Sequence, residues 1–188
     1  MIWTVSIIWL CVGCQPDPAD QPRIDLIEPL PVWAPDGLEF ETGLYWQPGQ
    51  AVIEALEHGV VVPLELSVRI SRYHGVMASE DRTHHHRFEV RYLPLLRDYE
   101  LTDVRADTRT LYPRLGILVD ALAERRRFTT GLTREEVAER RWQIQIRAHL
   151  DRTRLPSPMR LPVWFDDQWR AQSRWYSWVM PPEERREE

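Results

Sequence analysis

The 188-residue chain has no lysine and no asparagine, only two cysteines and only eight glycines. Both cysteines, Cys11 and Cys14, lie in the first 14 residues. The rest of the chain therefore has no thiol, which excludes disulfides and thiol catalysis in the folded part. Glycines so few and scattered cannot build a phosphate-cradling loop. Arginine carries all of the positive charge, and the 24 basic side chains are outnumbered by 29 acidic ones, for a net charge of -5. Arginines interspersed among carboxylates offer no continuous positive face to a phosphate backbone, so nucleic acid is not an expected partner. No serine sits in a nucleophile-elbow motif. The adjacent acids Asp166 and Asp167 are too close in sequence to flank a glycosidic bond from opposite sides, and Asp166 reads as a turn or cap residue.

What the chain does have is tryptophan, nine residues, and proline, fifteen. The opening "MIWTVSIIWLCVGC" is an apolar run too short for the roughly 20 residues of a membrane helix but suited to a signal-peptide core of about 7 to 15. It lacks the usual basic start. Gly13 and Cys14 fit a lipobox, in which the cysteine is lipidated and becomes the new N-terminus, with Cys11 in place of the usual leucine. Ordinary signal cleavage and a retained anchor are the alternatives. The expected organisation is a signal at 1–14, a proline-rich tether at 15–22, one domain at 23–180 and a disordered charged tail at 181–188. The implied location is the periplasmic side of a Gram-negative envelope, lipid-anchored or secreted.

Within the domain, period-two alternation dominates. Leu38, Phe40, Thr42, Leu44 and Trp46 share one face of a strand; so do Val62, Leu64, Leu66, Val68 and Ile70, and again Trp142, Ile144, Ile146, Ala148 and Leu150. One buried and one wet face is the signature of antiparallel sheet. "PGQAVIEALEHG" reads as a short helix stopped by Gly59. "TRTLYPRLGILVDALAERRR" reads as the longest helix, capped by Thr110, with Arg125 to Arg127 at its negative end. Thr133 to Glu136 form a possible capping box for one further turn. The expected fold is mainly β (α+β): an antiparallel, β-sandwich-like domain with one longer and one shorter helix.

Three stretches carry a resemblance: "ALEHGV" before an alternating strand, "RYLPLLRDYEL", and "RAHLDRTRLPSPMRLPVWFDDQWRAQSRWYSW". Together they resemble an uncharacterised proteobacterial envelope family, domain of unknown function 4390, over nearly the whole mature chain. The resemblance implies an exported protein with no assigned activity, and a sensor histidine kinase as partner. It supplies no catalytic residues.

Two candidate sites follow from the residues. His84, His85 and His86 precede a strand, and alternation lets only His84 and His86 share a face. With "GVMASEDRT" as a loop between two strands, His74 is expected across from that pair, giving a three-histidine zinc or copper site near Glu80 and Asp81. The bland alternative is an exposed tip with no ion. The aromatic C-terminal region offers Trp169, Trp175 and Trp178, either as core or as an interface with a protein or the membrane surface. The expected function is a non-enzymatic binding or accessory module. The alternatives are a carrier of an apolar envelope ligand, marked by a large cavity between sheet and long helix, and a periplasmic metal-binding protein.

Overall fold

A computed structural model describes residues 21–74, 77–156 and 166–180, without the side chains of His74 and residues 77–81. The signal segment with Cys14, most of the tether, Glu80 and Asp81 as side chains, and the charged tail lie outside the described residues.

Strands β1 (Arg23–Ala34), β2 (Gly37–Gln47) and β7 (Arg126–Leu132) form a three-stranded sheet in the order β1-β2-β7. Strands β3 (Val62–His74), β4 (Met77–Leu93), β5 (Asp98–Asp103), β6 (Thr108–Tyr112), β8 (Trp142–Leu150) and β9 (Tyr176–Met180) form a six-stranded sheet, β6-β5-β4-β3-β8-β9. Every pairing is antiparallel. The two sheets face each other across one hydrophobic core, as expected for a sandwich-like domain.

The alternating residues make that core. All five inward residues of β2, of β3 and of β8 are buried, Thr42 among them through hydrogen bonds from its hydroxyl to the carbonyls of Ile27 and Gly43. Across the gap Phe40 packs on Trp178 at 4.7 Å between centroids, and Phe88 meets Phe128 edge-on. Tyr176 ties the sheets at one edge by donating its hydroxyl to Asp25 Oδ1 at 2.9 Å.

Helix α1 (Gln50–Glu57) connects β2 to β3 and so closes one end of the sandwich. Val52, Ala55 and Leu56 are buried, and Gly59, at φ +77°, takes the left-handed turn that ends it. The N–H of Ala51 in its first turn is satisfied from far away, by Gln168 Oε1 at 2.8 Å. Helix α3 (Arg134–Glu139) has the predicted capping box: Thr133 Oγ1 accepts from Glu136 N, and Glu136 Oε2 accepts from Thr133 N.

The long helix is shorter than its sequence pattern suggested. Helix α2 spans Leu115–Ala123, one residue longer than α1, and Thr110 is in β6 rather than at a cap. Pro113 disfavours helical backbone at Tyr112, while the β-branched run before it finds a partner in β5. The chain also leaves the helix before the three arginines; Arg126 and Arg127 belong to β7. Arg126 nonetheless serves the helix end, donating from Nη2 to the carbonyl of Ala121 at 2.9 Å. The C-terminal end of α2 lies so close to β2 that a Cβ on Gly43 would stand 2.0 Å from the carbonyl oxygen of Ala123.

Candidate functional site

The histidine run obeys the strand alternation but does not assemble the expected triad. β4 begins at Met77, so most of the anticipated loop is strand, and one extra residue, Asp81, bulges between the Ile70–Arg82 and Ser71–Glu80 pairs. The register sets His84 opposite Val68 and His86 opposite Leu66, whereas His74 pairs with Met77 at the far end of β3. Six residues of strand separate His74 from Val68, roughly 20 Å at 3.3 Å per residue. That spacing keeps His74 out of reach of His84 and His86. Among the described residues no three His, Cys, Asp or Glu side chains are grouped to hold a metal ion.

His84 and His86 instead face the space between the sheets. His84 Nε2 would stand 3.1 Å from a Cβ on Gly131, whose φ is +69°. Burial, with Arg105 and Arg82 nearby, pushes its pKa down. His86 is 6% exposed, edge-on to Phe128 at 5.0 Å, with Arg105 Nη1 3.4 Å from both ring nitrogens. Burial, then the Arg105 guanidinium, push its pKa down to about 4. His86 is a neutral side chain at neutral pH, in the wall of a cleft of about 350 Å³ that Phe88, Phe128, Arg105, Arg126 and Arg127 also line.

The other side of the large sheet holds a cluster of polar side chains around Glu65. Glu65, on central strand β3, points away from the core yet is only 5% exposed. Its direct cross-strand neighbours are Arg87 on β4 and His149 on β8. Arg87 Nε donates to Glu65 Oε2 at 3.2 Å; His85 Nδ1 and Ser67 Oγ reach Oε1 at 2.5 and 3.0 Å, with His149 Nε2 at 3.8 Å. Burial pushes the Glu65 pKa up, but the His85, Arg87 and Ser67 hydrogen bonds outweigh it, so the carboxyl titrates below its ordinary range. For His149 burial dominates and lowers the pKa, against the pull of Glu65. Arginines continue the cluster. Trp175 lies under the guanidinium carbons of both Arg147, 4.5 Å from the ring centroid, and Arg69, 4.7 Å. Gln172, bridged to His149 through the backbone, accepts from Arg147 Nη1 at 3.4 Å. One guanidinium, that of Arg87, thus pairs with the buried carboxylate, and two more, Arg147 and Arg69, flank a partly exposed indole on the same face.

The three tryptophans of the aromatic tail part company. Trp169 is 3% exposed in a 3-10 turn, Asp167–Trp169, whose cap is Asp166 accepting from Gln168 N. Trp178 points into the sandwich against Phe40, because alternation along β9 turns Tyr176, Trp178 and Met180 to the inward face. Both serve the core. Trp175 alone of the three lies over the outer face. Asp151 organises the turn after β8, accepting from Thr153 N and pairing Arg154 at 3.2 Å.

Glu65, Arg69, Arg87 and Arg147 did not stand out in the sequence, where they occupy wet-face positions of ordinary strands. The available signal was the small, acidic series Glu65, Ser67 and Ser71 on what proves to be a central strand, where long neighbours cover it. Of three cavities among the described residues, at the His86 cleft, the β5 surface and the start of α1, none is lined by a residue of α2. No helix among them is long and apolar enough to cross a membrane.

The sequence profile of the family described as domain of unknown function (DUF4390) matches residues 34–179, from the last residue of β1 to the penultimate residue of β9. The chain belongs to this family. The match takes in the six-stranded sheet, β2 and β7 of the small sheet and the whole Glu65 cluster, so the cluster is part of the DUF4390 domain itself. No curated protein and no solved structure matches the chain.

Proposed function

We propose that this DUF4390 protein is an exported, envelope-associated, non-enzymatic binding module that docks a protein partner on the outer face of its six-stranded sheet. In this reading Cys14 carries the membrane tether, the domain faces the periplasm of a Gram-negative cell, and the partner is a membrane sensor histidine kinase. The observation that supports docking is the stack of Arg69 and Arg147 on Trp175 beside buried Glu65. Arginine and tryptophan are the side chains that most often dominate protein interfaces, and a planar guanidinium held on an indole is oriented in advance for a partner carboxylate.

The test is binding of the full chain to the extracytoplasmic part of the candidate kinase, with Trp175→Ala and Arg147→Ala as variants. Trp175→Ala is expected to weaken binding at least about thirtyfold, the lower range for an interface hot spot, while the thermal melt keeps its cooperativity. Unchanged affinity in both folded variants would remove the outer face from the reading, and no binding by the wild type would remove this partner.

A further inference from the structure

Two consecutive leucines stand in solvent at one end of the sandwich: Leu95 is 99% exposed and Leu96 58%. They form the tip of the β4–β5 hairpin, and the tip is built rather than loose. Leu96 N and Arg97 N both donate to the carbonyl of Leu93, at 3.1 and 2.8 Å, and Arg97 takes a left-handed φ of 59°. Behind the tip, Tyr92 and Tyr99 pack ring to ring at 4.9 Å. Leucines displayed by an ordered turn are not a by-product of a disordered loop, and adjacent exposed leucines at a hairpin tip form the kind of apolar projection that marks an interaction site.

The chain enters the domain at this same end. Gln21 and Pro22 line a cavity with Gln50 and Ile53 of α1, and α1 then crosses the end of the sandwich towards β3 and packs on β4. At the far end of α1, Glu57 is near enough to Tyr99 to act on its hydroxyl electrostatically. An eight-residue helix is about 12 Å long, so the chain entry and the hairpin lie at opposite ends of one short helix. Six residues separate Cys14 from Gln21, a Cα-to-Cα reach of at most about 25 Å when fully extended.

We propose that Leu95 and Leu96 insert into the bilayer at the boundary between headgroups and acyl chains, seating the domain on the membrane by its α1 end. This inference rests on the tether reading above. The tether confines the tip to the membrane surface, where two leucines suffice to orient a domain that they could not recruit alone. The surroundings make the contact apolar rather than electrostatic: Arg97 and His58 are exposed at this end, but so are Glu54 and Glu57. Vesicle charge and salt are therefore expected to matter little. With this end down, the strands of the large sheet stand away from the bilayer and the Glu65 face looks sideways along it, towards the extracytoplasmic part of a membrane protein.

The test uses the full chain in native membranes with a photoreactive benzophenone side chain in place of Leu95 and, as control, in place of Val179, which is exposed on β9 opposite Gln143. The expected result is a phospholipid-mass adduct from position 95, none from position 179, and no loss of the adduct in high salt. A discrete protein adduct at position 95, or no adduct at all while the chain stays with the membrane, overturns the insertion and leaves the tether standing. A wild-type chain that washes off the membrane as readily as Cys14→Ser overturns the tether reading and this inference with it.

Discussion

The buried imidazole of His86 makes stability depend on pH in a window where few other groups change. In the unfolded chain a histidine titrates near 6.5; in the fold, burial against Phe128 and the guanidinium of Arg105 push His86 down to about 4. The folded state therefore binds fewer protons than the unfolded chain between these values. Its stability is fully present above about pH 7, falls as the pH drops through 6.5 and levels off below about 4. From pH 7.5 to pH 5 that linkage costs about 2 kcal/mol for this one side chain. Arg105, Asp103, His84 and the backbone of Thr129 are the groups that act on it. His84 and His149 are shifted the same way, so the wild-type slope alone does not isolate His86. The informative quantity is the stability difference between wild type and His86→Gln, measured by urea unfolding at a series of pH values. It should move against the wild type by about 2 kcal/mol between pH 7.5 and 5, or roughly 4 to 8 °C in relative melting temperature for a domain of this size. Two pH profiles that run parallel across this range would refute a buried, neutral His86.

Three further outcomes test other parts of the structure. Gly43→Ala should cost about 3 kcal/mol or more, because its methyl group meets the carbonyl of Ala123; a melt within a degree of wild type would mean that α2 does not sit on β2 as described. Thr133→Ala should cost about 1 kcal/mol through the lost capping box, with Thr133→Ser recovering most of it, both read from chemical denaturation. Glu65→Gln should cost about 2 kcal/mol at pH 7. Because the folded-state pKa of Glu65 lies below its unfolded value, that cost should be full above about pH 4.5 and shrink as the wild-type carboxylate is itself protonated in more acid solution; a pH-independent cost would assign the loss to packing instead.

Strand faces could be read from the sequence because burial there is a local matter of every second side chain. The inward sets of β2, β3 and β8 needed only alternation. The boundary between β6 and α2 was harder, since Leu111 and Tyr112 suit a helix as well as a strand and the decision came from pairing with β5. For the histidines, parity was legible and register was not: the bulge at Asp81 and the early start of β4 move His74 away without changing which way His84 and His86 point. Glu65 was the least legible. A polar residue on the wet side of a strand is buried only if its cross-strand neighbours are long enough to close over it, and those neighbours, Arg87 and His149, are distant in the chain. The placement of Trp175 on the outer face likewise depends on two arginines that the sequence does not place beside it.

The order of the strands also sets the order in which the domain can be completed. β2 waits for β7 to finish the small sheet, and β3, in the middle of the large one, waits for β8 and then β9, whose last residue is Met180. The hairpins β1–β2 and β3–β4 can form early, but each leaves an apolar face without its cover until the C-terminal third of the chain arrives. A chain threaded through a secretion channel from its N-terminus would thus remain unable to lock into a finished domain until almost all of it had crossed. Late-closing topology of this kind suits passage through a narrow pore, and in the exported protein proposed above it would make the last strand, rather than the first, the step that commits the chain to one side of the membrane.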